Sequence, residues 1–316
     1  MEGPQSVQSS VPLVVGGTVI FLAGLVVWTV VAVLVARGAR PLPFVRRRPV
    51  PWQAAHVAAI SAAYLLVGLL VRWVDVEWFG LPVADSAKPA TGVARVGQQE
   101  VSAREHPLVI LLSRSPSLGT LALCFVAAVL VAPVAEEFLF RLVLQGWLEA
   151  VETRHGRRLA WLRRLPRGSG PVVLASVVFG AMHYRAGIEE PDPRLIALQM
   201  ASSAVASVVV LAFGIGLLVC SAKARAADLG FVWRRLPHDM GLGVAVFFGF
   251  AAMIYLLRAM LSVRLGENVA DPLVLFLFAM ILGTLYFRTH RLVPSIALHM
   301  SLNLTSLTMA WFGAGT

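Results

Sequence analysis

Residues 131–146, VAPVAEEFLFRLVLQG, set two adjacent carboxylates and a guanidinium into an otherwise apolar run. Glu137 and Arg141 are four residues apart, so on a helix they share a face and can pair. Such a pair has a plain structural use as a buried clasp between helices. Glu136 points about 100° away from that face and is left over. A carboxylate without a partner in apolar surroundings seeks one, as a general base does. Two other apolar runs carry candidates. In VVFGAMHY, 177–184, Phe179 precedes His183 by one helical turn, and in PSIALHMSLN, 294–303, His299 and Asn303 share a face. A lone histidine in an apolar helix is commonly a hydrogen-bonded packing residue. Two of them, an amide and an unpaired glutamate, in three runs, point to a site.

The chemistry open to this set is hydrolysis in a sheltered cavity. A carboxylate with an imidazole polarises a water, while a second imidazole and an amide donate to a developing oxyanion. No serine stands beside a base in these runs, although Ser301 stays open as a nucleophile. Two histidines and a glutamate could hold zinc. The spacing H-E-x-x-H is absent, so zinc ranks second and neither a metal nor another cofactor is expected.

The elements that must carry these residues are membrane spans. Of 316 residues 58% are hydrophobic and 14% charged, with a mean hydropathy of +0.78; soluble domains carry about 25% charged residues. Each charge facing lipid mid-span would cost about 2.5–3.5 kcal/mol, so Glu136, Glu137 and Arg141 must face protein or water. Eight apolar runs read as spans: 11–36, 54–74, 117–150, 170–184, 195–221, 240–262, 272–287 and 292–312. The run 117–150 is too long for one crossing, and Pro133 offers a kink, whereas 170–184 is short for one. Loops 37–53, 151–169, 222–239 and 288–291 are rich in arginine, and they alternate with the acidic or balanced loops 75–107, 185–194 and 263–271. That alternation places the basic loops inside and both termini outside. The net charge of +10 therefore orients the chain in a bilayer and does not mark a nucleic-acid binder. Arg72 and Arg258 near span ends are expected to snorkel, and Cys124 and Cys220 to act as small buried hydrophobes. The fold expected is an all-α polytopic membrane bundle of about eight helices around a buried polar cavity.

Three motifs carry a family resemblance: EExxxR at Glu136-Glu137 and Arg141, FxxxH at Phe179 and His183, and HxxxN at His299 and Asn303. In this order they resemble the CPBP family, the membrane-embedded CAAX proteases and bacteriocin-processing enzymes related to the type II CAAX prenyl endopeptidase. The resemblance covers residues 131–312. It implies that Glu136 and His183 activate the water, that His299 and Asn303 form the oxyanion side, and that Glu137 and Arg141 support the geometry. It also implies a membrane-associated peptide or protein as substrate, prenylated where the cell makes such groups, and a bacterial cytoplasmic membrane as the setting. Departures from the pattern are Leu142 after Arg141, and the 116 residues between His183 and His299. The domain reading is a hairpin with an outside loop at 1–110 and a catalytic core at 111–316, interrupted by an apparent insert at 195–262. Two other functions compete: a catalytically inactive scaffold or immunity-type binding protein, and a proton-coupled transporter using Glu136 and the histidines as a relay.

Overall fold

The computed structural model describes residues 5–42, 44–45, 49–79, 107–155, 166–183, 192–265 and 267–314. Among them the secondary structure is helical, with α1 at Gln5–Ala36, α2 at Ala54–Phe79 and a short α3 at Pro107–Arg114. One unbroken helical run follows in five pieces: α4 at Leu118–Cys124, a π-helical stretch at Phe125–Val131, α5 at Ala132–Glu137, a second π stretch at Phe138–Gln145, and α6 at Gly146–His155. The remaining helices are α7 at Ser169–Met182, α8 at Pro193–Cys220, α9 at Leu236–Leu265, α10 at Glu267–Thr289 and α11 at Leu292–Ala314. Each of the eight expected runs falls on one of these, and six helices among the described residues are long and apolar enough to cross a membrane.

The apolar side chains of α1 and α2 explain why the chain is a membrane protein. Val15, Val19, Leu22, Leu66 and Leu69 are more than half exposed, and helices apolar on their outward faces need lipid around them. α1 lies on α9, where Trp28 Nε1 donates to Gly249 O at 2.7 Å, and α2 lies on α8. The long helical run, α7, α10 and α11 bring the polar residues together.

Segment 195–262 is built into the bundle. α9 packs along α11, and Gly243 makes this possible: a Cβ there would lie 2.3 Å from Pro294 O and 2.7 Å from Ala297 Cβ. α7 meets α10 closely, though less so, at Gly180, where a Cβ would stand 3.0 Å from Pro272 O. The turn between α10 and α11 is held by the chain entering α9. Leu292 N donates to Gly230 O at 3.1 Å, Gly230 sits at φ +72°, and Arg291 pairs with the fully buried Asp239. Arg291 is thus part of a buried clasp as well as of a basic turn.

Three expectations change. At Pro133, where the sequence offers a kink, the chain stays helical and the hydrogen-bond register changes. Arg258 does not simply snorkel, because its Nε donates to Asp271 Oδ1 at 2.9 Å and ties α9 to α10. Cys220 is exposed at the end of α8, whereas Cys124 is buried as expected.

Candidate active site

The long helical run places Glu136 and Glu137 side by side at the end of α5. Glu137 turns inward and is fully buried, and its two oxygens have two partners. Oε2 is 3.4 Å from Arg141 Nε, and Oε1 is 3.1 Å from His299 Nδ1 on α11. Arg141 is also fully buried, and its guanidinium lies over the Phe179 ring, 5.5 Å from the centroid. A buried cation above an aromatic face gains up to about 2 kcal/mol from the ring quadrupole, a part of what it loses in water. The clasp expected between Glu137 and Arg141 is thus a three-way junction that also holds a histidine of another helix.

Glu136 faces the other way, towards both imidazoles. Its Oε2 is 3.7 Å from His183 Nε2 and 3.8 Å from His299 Nε2. Glu136 and His183 are each 26% exposed, although Glu136 Oε2 itself is buried, where Glu137 and Arg141 are at 0%. His183 caps the C-terminal end of the short α7, and its Nδ1 lies 2.7 Å from Phe179 O. A carbonyl only accepts, so Nδ1 carries a proton there, which leaves Nε2 as the ring nitrogen that faces Glu136. Phe179 stacks on the His183 ring, with centroids 4.4 Å apart, and both Phe179 and Phe278 meet the His299 ring edge to face. Phe179 therefore touches three of the charged or ionisable groups, which explains why an aromatic one turn before His183 matters.

The structure gathers Glu136, Glu137, Arg141, His183 and His299 into one cluster. Asn303 sits one turn beyond His299, but its Nδ2 donates to the backbone carbonyl of Ala128 at 2.7 Å. Ser301 is set apart from this chemistry, since its hydroxyl donates to Ala297 O at 2.7 Å within its own helix. One residue escaped the sequence reading. Gln145 is fully buried and its Nε2 donates to Gly283 O and to Glu149 Oε1, both at 2.9 Å. The signal was there: Gln145 continues the 137, 141, 145 ladder on the same helical face. Among the described residues no group of three or more His, Cys, Asp or Glu side chains is disposed to hold a metal ion.

Comparison with known proteins adds a family. The model of the Rce1-like type II CAAX prenyl endopeptidase family matches residues 118–234 and 229–305. Together these ranges span 188 of the 316 residues. The chain belongs to this family. It is an integral membrane protein of CAAX-type protease kinship, and the matched ranges contain every residue of the cluster as well as segment 195–262. No curated protein and no solved structure matches the chain.

Proposed function

We propose that the chain is an intramembrane endopeptidase in which Glu136, backed by His183, activates a water. The observation that carries this reading is the Glu136 Oε2 atom, which faces both histidine Nε2 atoms while the neighbouring carboxylate lies against Arg141 and His299. Glu136 takes a proton from the water, and the negative charge it carried passes to the hydroxide held beside it. Hydroxide attacks the peptide carbonyl, and the proton passes from Glu136 towards the His299 edge. His299 Nδ1 already donates to Glu137, so its Nε2 becomes a donor only once it holds that proton. It then serves the oxyanion and finally the leaving amine.

The substrate class proposed is a peptide held at the membrane, with a prenylated CAAX end as the first probe because the family model is named for it. Metal independence is part of this proposal, and dialysis against a chelator should leave the rate unchanged. The test is cleavage of a farnesylated CAAX peptide by protein in proteoliposomes. Glu136→Gln and His183→Ala should each lower the rate by about 10²–10⁴-fold, the range for loss of a positioned acid–base group. Equal rates for wild type and both variants would overturn the proposal and favour the scaffold reading.

A further inference from the structure

Two backbone facts around α5 meet at one atom. In the π stretch before it, Ala132 N–H reaches back five residues to Ala127 O. That donor would have served Ala128 O in an α-helix, four residues back. The next donor in the five-residue register is residue 133, and Pro133 has no N–H. Ala128 O is thus passed over by both registers of its own helix. Asn303 Nδ2 fills the position at 2.7 Å. The π widening also has a cause in Pro133, because a proline ring collides with the carbonyl four residues back in a regular helix and a wider turn moves that carbonyl away.

We infer that Pro133 is a positioning residue: the N–H it lacks opens the Ala128 carbonyl as a docking point for Asn303, and this contact locks the register that sets Glu136 and Glu137 against the two histidines. Glu136 and Glu137 follow Pro133 by three and four residues in the same α5 segment. A slip from π to α winding before them would swing both carboxylates by about 100° around the helix axis. Asn303 and His299 lie one turn apart on α11, so docking of the amide on Ala128 also fixes the histidine that reaches Glu137. Asn303 acts in this scheme through the helix register, using one of the two N–H groups of its amide.

The inference rests on the proposed peptidase reading for its catalytic consequence, but the contact itself can be judged separately. The experiment is a cycle of Asn303→Ala, Pro133→Ala and the double variant, each read by thermal midpoint in detergent and by farnesylated CAAX peptide cleavage per folded molecule. Alanine at 133 gives Ala128 O a backbone donor, its own N–H in the five-residue register or Ala132 N–H in an α register, so the Asn303 amide should no longer be needed to fill that position. In the wild-type background Asn303→Ala should lower the midpoint by about 3 °C or more and the rate by about tenfold, with KM changed less than twofold. In the Pro133→Ala background the same change should alter midpoint and rate little, by about twofold at most in rate. Pro133→Ser restores the same donor and serves as the second background should alanine fail to fold. Equal losses of rate in both backgrounds would overturn the inference and return Asn303 to a direct role. If wild type does not cleave the peptide, the midpoints still decide the contact: losses that are the same with and without Pro133 overturn it.

Discussion

At the scale of single residues, burial separates two carboxylates that are neighbours in sequence. Glu137 is enclosed with one cation and one imidazole, whereas Glu136 keeps an open edge. Removing one member of the enclosed pair leaves an uncompensated charge, which costs about 3–5 kcal/mol in a protein interior. Arg141→Met should therefore lower the denaturation midpoint sharply, and adding Glu137→Gln should recover much of that loss without recovering cleavage, since His299 stays unclamped. A double variant no more stable than Arg141→Met would contradict the pairing. The identities and spacing of Glu136, Glu137, Arg141, His183 and His299 were legible in the sequence, because ionisable groups in spans are expensive and stand out. The partner of Asn303 was not legible. It is a backbone carbonyl 175 residues away, exposed to docking only by a change of helical register. Gln145 was overlooked because an amide carries no charge to flag it, although its spacing from Arg141 did.

Among the elements, close helix contacts decide where the histidines stand. His299 rides on α11, and α11 is held by α9 across Gly243, whose missing Cβ leaves room for Pro294 O. Gly243→Ala puts a methyl where backbone atoms already lie, and overpacking of this kind costs about 1–3 kcal/mol. The expected outcome is a lower thermal midpoint together with slower cleavage per folded molecule, as α11 is pushed from the long helix. Unchanged rate and midpoint would show that α9 does not brace the site. The eight apolar runs located the helices to within a few residues at most ends, because the hydropathy contrast with the arginine-rich loops is steep. What hydropathy cannot show is register. The run 117–150 reads as too long for one crossing, with a kink at Pro133, and the structure shows a passage through π winding on both sides of the carboxylates. The extension of α10 back to Glu267 through Pro272 was likewise invisible, since proline normally opens a span.

The whole molecule is a helical bundle whose outer helices face lipid and whose inner helices share a polar cluster. The arginine-rich loops at 37–53, 151–169, 222–239 and 288–291 favour an inside position for those loops and an outside position for both termini. Alkaline phosphatase fused after residue 316 should then be active in a bacterial host, and fused within 222–235 inactive; the reverse pattern would invert the topology. Segment 195–262 reads in sequence as an insert, but its helices α8 and α9 touch the long helix, α2 and α11. Only three-dimensional packing reveals that, since sequence distance between His183 and His299 says nothing about what fills it. The most direct measurement on the molecule as a protease compares protein termini in membranes from cells making wild type or Glu136→Gln at matched levels. New termini present with wild type and missing with Glu136→Gln are the expected result, and they would identify the substrate as well. New termini equally abundant with both proteins would contradict a water activated at Glu136.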